Sequence, residues 1–186
     1  MAADAELEEL RQELLYRLRR DLTPQQGFEA FECHQLLAVR FHRASRINGP
    51  GMSEAKGWMR FFKEHFPRGD QYAELLWVRW RIALLKDAYP GPGVAISHGQ
   101  AHGHWQVVNP GGLFINLESM WDDYEQSIES MIKTLAADDA RREKSLEWWR
   151  GRRWAVQLVQ VPPVYLGGIG AASAASVSFS ETAIKP

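Results

Sequence analysis

The chain has 186 residues and a net charge of −1, with 22 Lys and Arg against 23 Asp and Glu. This length suffices for one domain with a substantial core. The nearly balanced charge argues against bulk electrostatic attraction to nucleic acid or to an anionic membrane, though not against a local basic patch. The one cysteine, Cys33, cannot form an internal disulfide. Without a signal-peptide pattern or an apolar run of roughly 20 residues, the sequence predicts a soluble, cytoplasmic protein with no membrane association.

The first half of the chain has the apolar spacing of amphipathic helices. Helix starts are marked by capping residues, and helix ends by glycine or proline. The predicted helices cover residues 4–20, 24–47, 54–66 and 71–89. The last of these is apolar nearly all round, which predicts a place in the centre of the core or at an interface. Eight Trp and eight Phe predict an aromatic-rich core.

The second half begins with short β-branched runs separated by glycine-containing turns, a pattern typical of strands. The predicted strands are Val94–Ser97, His104–Val108 and Leu113–Leu117, joined as an antiparallel meander. Helical spacing returns from Ser119 to Arg150, and Trp154–Val161 predicts a fourth strand on an edge of the sheet. The predicted fold is therefore α+β, with about six helices packed around a small antiparallel sheet of three or four strands.

The composition changes after Pro162-Pro163. Residues 162–186 are rich in Gly, Ala and Ser and carry almost no charge. Such a composition favours a flexible or extended segment over a packed helix. We therefore predict one globular α+β domain over residues 1–161 and an extended C-terminal tail over residues 162–186.

Three of the six histidines, His98, His102 and His104, lie within seven positions in a glycine-rich segment. Residues two apart on a strand point to the same face, so His102 and His104 could share a divalent metal with His98. Glu118 or Asp122 would then polarise a bound water, as in a small hydrolase or oxygenase-like enzyme. The structural alternative is a hairpin with exposed or hydrogen-bonded histidines.

Two other patterns have both a functional and a structural explanation. His34 and His42 lie eight residues apart on one predicted helix, where they could form an acid–base pair or border the core. Trp148 stands close to Arg150, Arg152 and Arg153. This basic-aromatic segment could stack on bases and neutralise phosphates, or it could close a helix with its arginines on the surface.

Three functional hypotheses follow. The first is a non-enzymatic interaction or regulatory module that binds a protein partner, or a second copy of itself, through the apolar helix 71–89 or the tail. The second is a metal-dependent enzyme with a site at His98, His102 and His104. The third is a nucleic-acid-binding protein that uses segment 148–154, which the overall charge disfavours.

Overall fold

The computed structural model describes residues 2–16, 29–87, 90–99, 103–108 and 112–152. All of them belong to the first of two units, Met1–Arg153. The second unit, Trp154–Pro186, lies outside the described residues. The predicted strand 154–161 and the predicted tail 162–186 therefore stay predictions.

The described residues form six helices and three short strands. Five helices are regular: α1 Ala2–Leu15, α2 Glu29–Asn48, α3 Glu54–His65, α5 Leu117–Ala137 and α6 Asp139–Arg150. The remaining helix, α4, consists of Ala73–Leu75, a π-helical segment Leu76–Ile82, and Ala83–Lys86. The strands are β1 Val94–Ser97, β2 Val107–Val108 and β3 Gly112–Asn116. None of the helices in these ranges is both long enough and apolar enough to cross a bilayer.

The predicted α+β fold around an antiparallel sheet is wrong, because the structure is mostly helical and its main strand pair is parallel. β1 runs parallel to β3, with Val94 opposite Leu113 and Ser97 opposite Asn116. β2 contributes only two residues, antiparallel to β3 on its other side. Four of the five residues of β3 are buried, which is typical of a central strand.

The predicted hairpin between β1 and β2 fails because residues 103–106 turn instead of extending. The Gln106 N–H donates to the Gly103 carbonyl over 3.1 Å, and Trp105 has a φ of 63°. Gly103 lies against the ring of Phe114, where a Cβ atom would come within 2.7 Å of the ring. A side chain at position 103 would therefore push this turn away from β3.

Aromatic side chains fill the core between α2, α3, α4 and α5. Phe41 lies at its centre, and its ring centroid is 4.9 Å from that of Tyr124, 5.4 Å from Phe62 and 6.0 Å from Trp80. Tilted and edge-on aromatic pairs of this kind stabilise a fold beyond their burial. The core thus fixes α2 against α4 and α5, the helices that border the predicted histidine site.

Candidate functional site

The carboxyl ends of β1 and β3 meet the start of α5 at one edge of the small sheet. Ser97 and Asn116 end the paired strands side by side. Asn116 also caps α5, since its side-chain oxygen accepts the Ser119 N–H over 3.0 Å. An Asn in this position satisfies one of the free N–H groups that begin a helix. This edge brings together Glu118, two residues after Asn116, and the loop that carries His98.

Glu118, one of the two predicted catalytic acids, is used to hold that loop. Both of its carboxylate oxygens accept the Gly99 N–H, at 2.9 and 3.0 Å. The Asn116 side-chain amide donates to Oε2 of Glu118 over 2.9 Å. Gly99 has a φ of 69°, which glycine adopts readily and other residues do not. The carboxylate would have to release these donors before it could act as a general base.

His104 is hydrogen-bonded through both ring nitrogens. Its Nδ1 accepts the Asn116 N–H over 3.1 Å, which places the proton of the neutral ring on Nε2. Nε2 lies 3.1 Å from Oδ2 of Asp123, and the Trp105 indole N–H donates to the same oxygen over 2.8 Å. A metal ion could reach this imidazole only by displacing Asn116 or Asp123.

His34 of α2 borders the same edge from inside the core. Its Nε2 donates to the Ser97 carbonyl over 3.2 Å, and its Nδ1 accepts the Trp80 indole N–H over 3.4 Å. Burial lowers the pKa of His34 to about 4. At neutral pH the ring is therefore uncharged, and it links α2 and α4 to the end of β1.

The other predicted site residues are not gathered at one point. His98 is exposed, and His102 lies outside the described residues. Asp122 is exposed as well and lines a depression of about 880 Å³ between α1 and α5, together with Arg11 and Lys133. Among the described residues, no group of three or more His, Cys, Asp or Glu is placed to hold a metal. The metal site at His98, His102 and His104 stays a prediction, since one of its three members is not described.

Four residues of this edge were not predicted from the sequence to lie there: His34, Trp80, Asn116 and Asp123. Only Asn116 has a local signal, because it stands three residues before Ser119 in a capping position. The predicted third strand extended to Leu117 and concealed that cap. The partners of His34 and of Asp123 are distant in sequence, and no spacing rule identifies them.

Two arginines of the basic-aromatic segment, Arg150 and Arg152, make intramolecular contacts in the described part of the chain. Arg150 forms ion pairs with Glu6 at 2.9 Å and Glu143 at 3.0 Å. The Arg152 guanidinium lies 4.5 Å from the centre of the Trp148 ring, while Arg153 is not described. Arg150 therefore ties α6 to α1.

Comparison with known proteins found no matching family model, no matching curated protein and no matching solved structure. The function is therefore inferred from the contacts of the chain itself.

Proposed function

We propose that this protein is a non-enzymatic interaction module that docks on a second copy of itself through the outer faces of α2 and α4. The observation that carries the proposal is the placement of exposed apolar side chains. Six large apolar side chains are exposed among the described residues, and four of them lie on these two helices: Leu36, Val39, Val78 and Leu85. Their exposed fractions lie between 44% and 49%.

These side chains come from neighbouring helices. The Gln35 side chain donates to the Leu84 carbonyl over 2.6 Å, while the His42 and Trp77 rings lie 6.3 Å apart further along. As the residue number rises along α2, the residue number of its contact on α4 falls, so the two helices are antiparallel. Single exposed apolar residues are ordinary on a protein surface, but several on adjoining helices are typical of an interaction face.

The charges at the ends of α4 favour a second copy as the occupant. Glu74 lies near its start and Lys86 at its end, both exposed and both without an ion-pair partner in the described part of the chain. Between them lie the exposed side chains of Val78 and Leu85. A two-fold axis that packs α4 against α4 in antiparallel fashion would set each Glu74 opposite the other copy's Lys86.

The state of the candidate site agrees with a non-enzymatic role. Glu118 and His104 are both used in hydrogen bonds that fasten the loop, the strand end and the helix start. Their arrangement supports the edge of the domain that adjoins α2 through His34. We infer that these groups stabilise the fold that presents the docking face.

The test is the molar mass of the full chain by sedimentation over about 1 to 500 µM, the range in which weak dimers form. The wild type is expected to pass from monomer to dimer. The double variant Val78→Asp/Leu85→Asp is expected to remain monomeric, because it places carboxylates in the apolar centre of the interface. Val107→Asp is the matched control, since Val107 is 70% exposed and lies on β2. A wild type that is monomeric throughout would overturn the proposal.

A further inference from the structure

Two adjoining cavities form a groove between the α2–α3 turn and α6. The first, about 390 Å³, includes Arg60, Arg141 and Lys144 in its lining. The second, about 340 Å³, is lined by Lys144, Trp148 and Arg152 among others. Pro50 and Lys144 line both cavities, so the two are continuous at these residues. We call the whole the basic groove.

The arginines of the first cavity are held in place by a polar network below them. Glu64 accepts from Arg60 Nε over 2.9 Å and also pairs with Arg141. Arg141 donates to the Asn48 side-chain oxygen over 2.7 Å, and His65 lies 2.9 Å from the same oxygen. The guanidinium groups are therefore positioned in advance, which reduces the entropy lost when a ligand binds.

Positive charge in the basic groove remains available to a ligand. Four cationic side chains line it against two carboxylates, Asp138 and Glu147, and the balance is still positive when Glu64 is included. Lys144 is exposed and has no ion-pair partner in the described ranges. The complete chain, by contrast, carries a net charge of −1.

We propose that the basic groove binds a small phosphorylated molecule with two linked phosphate groups, one on each side of Lys144. Planar guanidinium groups match the oxygen geometry of phosphate, and Arg60 and Arg141 present two of them in the first cavity. Arg152, stacked on Trp148, supplies the cation of the second cavity. This site involves α3 and α6, and it does not depend on the proposed docking face.

The experiment is a titration of the full chain with inorganic pyrophosphate. Binding is measured by calorimetry and by the NMR signal of the Trp148 indole N–H, which the variant Trp148→Phe assigns. The wild type is expected to bind in a saturable manner below about 10 mM, with a shift of the Trp148 signal. Lys144→Gln should weaken binding about tenfold, since it removes one charge-assisted contact to phosphate. Lys133→Gln is the matched control, an exposed lysine on α5 outside the basic groove.

Two results would overturn this inference. One is the absence of saturable binding, or binding that Lys144→Gln leaves at the wild-type strength. The other is binding of a short single-stranded oligonucleotide that depends on Lys144 while pyrophosphate neither binds nor competes, because a nucleic acid would then be the ligand. Loss of pyrophosphate binding with an intact dimer would separate the failure of this inference from the failure of the docking face.

Discussion

His34 makes the stability of the fold depend on pH between about 4 and 6.5. Its pKa is lowered from 6.5 to about 4, first by burial and then by the nearby charges of His104 and His98, against the Ser97 carbonyl bond and Glu118. The unfolded chain therefore binds a proton in this range that the folded chain rejects. The contribution of the neutral His34 ring to the free energy of unfolding is complete above about pH 6.5 and is lost as the pH falls towards 4.

The size of the effect follows from the two pKa values. Between pH 7 and pH 5 a histidine with a pKa near 6.5 unfolded and near 4 folded lowers the free energy of unfolding by about 2 kcal/mol. Burial also lowers the pKa values of His42 and His65 to about 4. Between pH 7 and pH 5 the free energy of unfolding of the wild type should consequently fall by more than the His34 contribution. A variant is needed to isolate that contribution.

His34→Gln is the appropriate variant, because an amide can still donate to Ser97 and accept from Trp80 without titrating. Urea unfolding at pH 7 and pH 5 gives the free energy of unfolding of both proteins. The loss between the two pH values should be smaller in the variant by about 2 kcal/mol. An equal loss in both, or an NMR titration of wild-type His34 with a midpoint near 6.5, would refute the reasoning.

Three further substitutions test the contacts of the site and the core. Glu118→Gln should lower the free energy of unfolding by about 1 kcal/mol, and it should speed hydrogen exchange at Gly99; unchanged exchange there would contradict the role assigned to the carboxylate. Asp123→Asn should cost about 1 to 3 kcal/mol, measured by urea unfolding, because it removes the charged acceptor of His104. Phe41→Ala should cost about 3 to 5 kcal/mol in the same assay, and a loss below 1 kcal/mol would show that Phe41 is not central to the core.

Helices with a clear apolar stripe and a local stop could be predicted from the sequence. α3 ends at His65, close to the predicted end at residue 66, because Pro67 disfavours helical geometry in the residue before it. α4 was predicted over residues 71–89, yet its outward side leaves Val78 and Leu85 exposed. Composition alone therefore identified an apolar helix, but it did not say which of its sides would remain uncovered.

The sheet could not be predicted, because strand direction depends on contacts between distant residues. Short β-branched runs separated by glycine turns suggested hairpins. The sequence contains no local signal that β1 would skip β2 and pair in parallel with β3. The turn at residues 103–106, with Gly103 against Phe114, shortens β2 and removes the predicted antiparallel partner of β1.

The candidate site illustrates the same limit. The sequence identified His104 and Glu118 as neighbours of one glycine-rich segment, and the structure places both at the edge where β1 and β3 end. Their hydrogen-bond partners, however, decide what these side chains can do. Asp123 lies 19 residues from His104, and Gly99 lies 19 residues from Glu118. Only the fold shows that His104 is hydrogen-bonded to Asp123 and that Glu118 is hydrogen-bonded to Gly99.

The most direct test of the proposed docking face is the exchange of charge between the ends of α4. Glu74→Lys and Lys86→Glu each replace two attractive pairs across the two-fold axis by two repulsive ones, so each variant alone should dimerise about tenfold more weakly than the wild type. An equimolar mixture of the two variants restores both attractive pairs in a mixed dimer. We expect sedimentation of the mixture to recover the wild-type dimer fraction, and a mixture that remains as monomeric as its components would contradict the proposed face.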